Sequence, residues 1–392
     1  VLQGKTENGK LIIILKESMD SFNAVEAEKR IRELCAACPS DEIELDCNAL
    51  RRVSSAGLRV MLRLRQDVEH TVLTNVHPDL YSLLDLTGIT EMMEVRRAFR
   101  VLSTEACELI GEGSSGRVYR LAPDTIVKVY QNPDALSDIR RERELARLAF
   151  VAGVPTAIPY DVVRIEGGGY GAVYELLDAV SYAGLLKSGT MTVEEVAGMS
   201  VRLLREIHSR EIHSELLPDM KKVAQDWAAF LEDELPRDAF EKLTRLIREV
   251  PEDDHLIHGD YHVKNVLVQN GESLLIDMDT LSRGHPVFEL AGMYNAYVGF
   301  GLADPGEPGE FLGIPGEICL PFWRRSLELY LGTQDPQRVS EVEDRAGIIG
   351  LTRLIRREIR RRGREREDGR RMIAVCRSTL MSLLERTDTL VF

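Results

Sequence analysis

The stretch IHGDYHVKNVLV, residues 257–268, sets two histidines, an aspartate, a lysine and an asparagine between two apolar runs. Two readings compete for it: a polar turn between strands, or a loop that aims Asp260 and Asn265 at a nucleotide and its metal. The two residues lie five positions apart, which suits a short loop turning between strands. An aspartate so placed can accept a hydrogen bond from a hydroxyl, and an asparagine offers an uncharged oxygen to Mg2+. His255, His258 and His262 admit a zinc reading as well, but they lack the regular helical spacing of zinc ligands. The decision rests on whether the companions of a phosphate site occur elsewhere in the chain.

Moving a phosphoryl group from ATP needs backbone donors over the phosphates and a cation to hold them. It also needs oxygen ligands for Mg2+ and a carboxylate to orient the attacking hydroxyl. GEGSSGRVY (111–119) supplies Gly111, Gly113 and Gly116 in a G-x-G-x-x-G pattern, with Ser114 and Ser115 between the last two. Glycines let the backbone come close to phosphate oxygens. Alone the pattern is also what a plain turn looks like. Strand-like segments flank it and no helix follows, which opposes a dinucleotide-binding fingerprint. Val118, two residues on, is placed to cover an adenine. Lys128 lies in the otherwise apolar strand TIVKVY, so it needs an anionic partner, a phosphate or Glu142, unless it snorkels to solvent. Asp277 in LLIDMDT follows an apolar run, where a strand end lets a metal ligand reach the phosphates, and Asp279 is a candidate secondary ligand. Zinc would leave the glycine pattern and Lys128 unexplained. The ordered combination favours the phosphate reading of 257–268.

The rest of the chain bounds that reading. Its 392 residues are too many for one ordinary core, so two or three domains are expected. The hydrophobic fraction is 44%, ample for a globular interior, and no apolar run approaches the ~20 residues that span a bilayer. No membrane association and a cytoplasmic location are expected. A net charge of -14 speaks against nucleic acid as a partner. The six cysteines are scattered, and the CAAC at 35–38 lacks a second pair, so packed, reduced thiols are expected.

The first hundred residues alternate strand-like and helix-like segments, which predicts a parallel or mixed sheet covered by helices. From about Cys107 short strands with turns take over, and beyond 180 most segments have helical spacing, apart from 255–280. A small β-rich lobe followed by a larger helical lobe is expected. The join FRVLSTEA (99–106) contains neither glycine nor proline, which predicts coupled rather than flexibly tethered domains. In 351–372, Leu351, Leu354, Ile355 and Ile359 keep an apolar stripe. The arginines of 353–371 then form either a solvated face paired with Glu358, Glu365, Glu367 and Asp368, or a phosphate- or partner-binding patch.

Residues 107 to about 295 resemble the aminoglycoside phosphotransferase and choline kinase-like family, a branch of the protein-kinase-like fold. The resemblance runs through GEGSSGRVY, Lys128, RRERELARLAFVAGVP with Glu142, HGDYHVKN and LIDMDTLSRGHPVFELA. The family pattern H-G-D-x-H-x-x-N is matched at His258, Gly259, Asp260, His262 and Asn265. The resemblance implies Asp260 as catalytic base, Asn265 and Asp277 as metal ligands, and Lys128 with Glu142 as the phosphate-positioning pair. AVYELLD resembles the hinge, so backbone near Glu175 and Leu177 is expected to meet the adenine. Only MDTLSRGHPVFELAGMY follows Asp277, with no peptide platform, which favours a small hydroxylated acceptor. Asp304, Glu307 and Glu310 either line a pocket for a cationic acceptor or belong to a solvated loop.

Residues 1 to about 98 resemble a STAS domain, the fold of anti-sigma factor antagonists. LIIILKESMDSFNAVEAEKRI, IELDCNALRRVSSAGLRVMLRL, TVLTNV and LYSLLDLTGI carry the likeness. Regulated members have a phosphorylatable serine before the motif glycine; here Ala56 precedes Gly57, and Ser54 stands where an aspartate is usual. That argues against the switch and leaves Ser54 and Ser55 as helix-capping serines or alternative modification sites. The expected architecture is therefore α/β and α+β: a STAS-like sheet with helices over 1–100, then a bilobal kinase-like domain over 101–392. Its lobes are expected to meet at 178/179. The implied activity is ATP- and Mg2+-dependent phosphotransfer to a small molecule, with the STAS domain regulating or docking a protein partner. A protein serine/threonine kinase or a nucleotide-sensing module of a partner-switching pathway is the alternative.

Overall fold

The structure, a computed structural model, describes residues 2–7, 9–113 and 116–392. The chain forms two compact units, one running through Ser103 and taking in 163–166, the other made of 104–162 and 167–392.

The first unit is built on a five-stranded sheet in the order Gln3–Glu7, Lys10–Ile14, Glu42–Asp46, His70–Val76, Glu94–Arg97. The first pair is antiparallel and the others are parallel. Parallel neighbours need crossover connections, and the helices Ala24–Ala37, Ser55–Asp67 and Pro78–Leu86 supply them. Alternation decides which face they cover. Leu11, Ile13, Ile43 and Leu45 point inward and meet Ile31, Val60, Met61 and Leu64 from the helices. Lys10, Glu42, Glu44 and Arg96 lie off that core and pair with one another, Lys10 to Glu42 at 2.6 Å and Arg96 to Glu44 at 3.6 Å. The sheet is mixed, as expected. Gly57, in the first turn of the helix Ser55–Asp67, lies so close to the strand Ser18–Met19 that a Cβ there would sit 2.3 Å from the Met19 carbonyl oxygen. Ser54 is the cap of that helix, its Oγ accepting from the Ala56 amide at 3.2 Å. Cys35, Cys38, Cys47, Cys319 and Cys376 are free thiols, and burial pushes the Cys35 thiol up. Arg100–Leu102 pairs in parallel with Val163, Arg164 and Ile165, which is why that short segment belongs to this unit.

In the second unit the strands Tyr170–Glu175, Thr125–Tyr130, Gly116–Ala122 and Glu108–Glu112 lie side by side in that order, antiparallel, with the helix Leu136–Val151 following Thr125–Tyr130. The larger part is helical, from Tyr182–Ser188 to Glu367–Arg386. Its interior is one apolar cluster in which Val196 and Leu204 of the helix Val193–His208 meet Tyr297, Trp323 and Ile348. Thr192 and Glu195 form a capping box at the start of Val193–His208, which fixes where that helix begins. The result is the small β-rich lobe and large helical lobe expected from the sequence. No helix among the described residues is long and apolar enough to cross a membrane.

Candidate active site

The 257–268 stretch leaves the strand Leu256–Ile257, turns, and enters a hairpin of Val266–Gln269 with Glu272–Leu275. Asn270 and Gly271 both have positive φ, 52° and 85°, the geometry of a two-residue turn whose twist matches the strands it joins. Val266 faces Leu275, so the residues flanking the hairpin emerge at one end. The Ile276 amide donates to the Asn265 carbonyl at 3.0 Å, and Asp277 follows immediately. Asp277 sits at φ 68°, ψ 66°, a left-handed conformation that side-chain-bearing residues seldom adopt and that clusters at functional sites.

Lys128 meets Asp277 across the unit, Nζ to Oδ1 at 2.9 Å, and reaches Glu142 Oε1 at 3.0 Å. Burial works against the ammonium, but the charges of Asp277 and Glu142 outweigh it and raise its pKa. Glu142 is a buried carboxylate with both oxygens engaged. Tyr130 donates to Oε2 at 2.5 Å, and Tyr174 donates to Oε1 at 3.1 Å. Lys128 is therefore held in a partnered network rather than snorkelling. The two tyrosines, which sequence reasoning passed over, complete it.

Asn265 Nδ2 donates to the Asp260 carbonyl at 3.0 Å and to Asp260 Oδ2 at 3.2 Å. His262 Nε2 lies 3.5 Å from the same carboxylate oxygen. Burial would raise the Asp260 pKa, but the hydrogen bond and charge of His262, with His258 and Arg353, hold it down at about 2. The backbone of this turn is pinned from below. Glu289, fully buried, accepts from the His258 amide at 2.5 Å and from the Gly259 amide at 3.0 Å. Burial opposes its charge, yet His208 and His258 keep its pKa below the usual carboxylate range. Thr280 Oγ1 donates to the His258 carbonyl at 2.8 Å, Tyr261 to the Ser200 carbonyl at 2.8 Å, and the Val263 amide to the Tyr297 hydroxyl at 3.1 Å. Gly259 has φ 82°, and a Cβ there would lie 2.6 Å from the Thr280 carbonyl oxygen.

Arg353 corrects the reading of the arginine-rich segment. Its Nη1 donates to the Gly259 carbonyl at 3.2 Å, and its guanidinium lies 5.4 Å from the Trp227 ring centroid. Glu358, expected on a solvated face, is buried and pairs with Arg357 at 3.2 Å and Arg366 at 3.4 Å. Glu289 had a readable signal: a carboxylate within the apolar run VFELAGMY needs a buried partner. Arg353 had none that set it apart from its neighbours.

The glycine turn joins Glu108–Glu112 to Gly116–Ala122, with the Gly113 amide donating to the Gly116 carbonyl at 2.9 Å. A Cβ on Gly116 would lie 2.1 Å from the Val129 carbonyl oxygen, so that glycine is required by the neighbouring strand. A Cβ on Gly113 would meet nothing within 4 Å, and one on Gly111 only ordinary contact with Val118. Ser114 and Ser115 lie outside the described residues. Val118 pairs with Lys128 in the sheet register, and Glu175 ends its strand opposite Thr125, with Leu177 just beyond.

Among the described residues no cluster of three or more His, Cys, Asp or Glu side chains is arranged to hold a metal ion. Asn265 and Asp277 fit Mg2+ on the chemistry of their donors. The hydrogen bonds of Asn265 Nδ2 leave Oδ1 as its remaining acceptor, and Asp277 would add one carboxylate. An ion that keeps waters and takes phosphate oxygens asks for little more. Asp279 senses both halves of the site: burial first, then Asp277 and Glu142, push its carboxyl up to about 6, with Asp260 adding and Lys128 opposing.

Residues 106–311 match the model of the phosphotransferase enzyme family, and residues 2–102 match the STAS domain. No curated protein sequence matches the chain significantly. Among solved structures, a thermostable mutant of aminoglycoside phosphotransferase APH(4)-Ia in ternary complex with AMP-PNP and hygromycin B is similar at 14% identity and TM-score 0.50, covering 72% of this chain and 93% of that one. A choline/ethanolamine kinase family protein from Mesorhizobium loti is also 14% identical, with TM-score 0.47, covering 72% of this chain and 89% of that one.

Proposed function

The chain belongs to the phosphotransferase enzyme family, and from that premise we propose that it transfers the γ-phosphoryl group of ATP to a hydroxyl of a small molecule, in the presence of Mg2+. The observation that carries this reading is Lys128, whose ammonium lies between Glu142 at 3.0 Å and Asp277 at 2.9 Å. The two side chains come from positions far apart in sequence, as a phosphate-binding cation and a metal-binding carboxylate would.

In this reading Gly111, Gly113 and Gly116, with Ser114 and Ser115, cover the phosphates. Val118 and the backbone near Glu175 and Leu177 hold the adenine. Lys128, fixed by Glu142, neutralises phosphate oxygens, and Mg2+ held by Asn265 and Asp277 would screen their remaining charge. The acceptor hydroxyl donates to Asp260. Its oxygen bonds to the γ-phosphorus as the bond from phosphorus to the β–γ bridging oxygen breaks. ADP leaves, and the hydroxyl proton passes to Asp260. With its carboxyl held near 2, Asp260 is ionised at neutral pH but is a weak base. Its contribution is chiefly to orient the hydroxyl for in-line attack, which is what a loose phosphoryl-transfer transition state needs.

The STAS domain, within 1–100, serves in this reading as a regulatory or docking module for a protein partner, and 101–392 as the transferase. A protein acceptor is the second reading, favoured by the STAS match alone. Incubating the protein with Mg2+, γ-labelled ATP and a cell extract, beside an Asp260→Asn control, separates them. Asp260-dependent label in the small-molecule fraction supports the first reading. Label on protein overturns it in favour of the second.

A further inference from the structure

The segment CAAC (35–38) closes the helix Ala24–Ala37, and its two cysteines are the chain's only pair within one helical turn of each other in sequence. The Cys38 amide still donates to the Leu34 carbonyl at 3.0 Å, so the helical path runs through to that residue. Helix geometry then sets the Cα atoms of Cys35 and Cys38 about 5 Å apart, within the range a disulfide spans. Cys38 itself has left the helix, at φ -133° and ψ 74°, so closing a bridge there does not have to bend a helical residue. Just beyond Pro39, Ser40 Oγ lies 2.8 Å from the Gly9 carbonyl oxygen and 2.9 Å from that of Glu42, which fixes the chain on the far side of the pair.

Both thiols are within reach of a small molecule. Cys35 and Cys38 line one cavity of about 400 Å³, together with Gly9, Asp41, Ile43 and Val68. Each is partly exposed and packs only against the rim of the first unit's core. Cys47, Cys319 and Cys376 are buried instead, and burial pushes the thiols of Cys47 and Cys376 up to about 12, which makes them inert. The expectation of packed thiols therefore holds for these three and not for the CAAC pair. The pair sits at the carbonyl end of its helix, beside Asp41, a setting that disfavours thiolates. A dithiol without thiolate stabilisation exchanges slowly, but its disulfide is hard to reduce.

We infer that Cys35 and Cys38 are a modification site, a dithiol that closes to a reversible internal disulfide by exchange with small-molecule disulfides such as glutathione disulfide. The Cys38 sulfur gives its proton to water and attacks one sulfur of the small disulfide. One glutathione leaves as a thiolate and takes up a proton. The Cys35 sulfur then loses its proton, attacks the Cys38 sulfur and displaces the second glutathione. Two protein thiols are oxidised, and one small disulfide is reduced to two thiols. The second displacement is intramolecular across a single turn, which favours closure over a lasting mixed disulfide. The site stands independently of the phosphotransferase reading.

The test uses the full chain, reduced, freed of reductant and incubated with glutathione disulfide. It is then alkylated under denaturing conditions and mapped by mass. Cleavage before aspartates isolates residues 20–40, which contain Cys35 and Cys38 and no other cysteine. That peptide is expected to lose both alkylatable thiols and to be lighter by two hydrogens than its reduced form, and dithiothreitol should restore it. Cys35→Ser is expected to keep one glutathione on Cys38, and the double variant Cys35→Ser, Cys38→Ser to lose the response. Unchanged thiols in 20–40 overturn the inference. So does glutathione that stays on the wild-type peptide without closure, or an equal loss of thiols from the double variant. The wild-type peptide is read directly, so the result does not depend on the variants folding.

Discussion

The loop at 257–265 and the turn at 111–116 would face the two ends of the same reaction, yet they are shaped by opposite means. The loop is held by partners: Glu289 on two amides, Arg353 on a carbonyl, and Tyr297 and Asn265 on further backbone groups. Of the described glycines there, Gly116 lacks room for a Cβ while Gly113 has open space. The difference teaches where precision is needed. A group that aligns a hydroxyl must be preorganised, because misalignment there costs rate directly. A backbone that covers phosphates needs close approach more than a single fixed geometry.

That contrast can be broken. Asp260→Asn keeps the shape of the loop and removes its charge, so kcat is expected to fall about 10²–10⁴-fold while the melting temperature stays near wild type. Wild-type turnover in this variant would strip the loop of its assigned chemistry. Glu289→Gln comes next: one amide nitrogen then faces a backbone N–H, and thermal or urea unfolding should register a loss of about 2–3 kcal/mol.

The pH dependence of Glu289 has a definite sign. Its folded pKa is depressed, so its contribution is fully present above the unfolded value of about 4.3 and is lost as pH falls through the lower folded value. Wild-type stability should therefore drop below about pH 4 more steeply than that of Glu289→Gln. Parallel slopes would deny Glu289 its role under the loop. Gly116→Ala should cost about 1–3 kcal/mol, because the backbone of Val129 must move. Gly113→Ala should change stability by no more than about 0.5 kcal/mol and act instead on ATP affinity, read by nucleotide titration. If both alanines behave alike, the turn is uniform and the contrast with the loop is lost.

How much of this was legible follows the distance along the chain. Asp260 and Asn265 lie within one turn, and Asp277 follows the next hairpin, so local spacing was enough to single out all three as candidates. Lys128 was legible because a cation in an apolar strand demands a partner, although which one was left open between phosphate and Glu142. The alternation in Lys10–Ile14 and Glu42–Asp46 likewise announced a sheet with one buried face. Of the loop's supports, Glu289 was legible only as a carboxylate in need of a buried partner and Arg353 not at all, because they meet Gly259 from 30 and 94 residues away. Tertiary packing alone distinguishes Arg353 from the arginines around it. The same is true of Tyr130 and Tyr174, whose hydroxyls only gain meaning once the helix bearing Glu142 lies against their strands.

The two-residue turn at Asn270 and Gly271 makes the hairpin a ruler for Asn265 and Asp277, the proposed metal-binding pair. Strand side chains alternate faces, so a one-residue slip between Val266–Gln269 and Glu272–Leu275 would present Ile276 or Met278 where Asp277 now stands. A slip of two would restore the face but shift its reach by about 7 Å. The length of this hairpin is therefore a coordinate that cannot be edited in single steps.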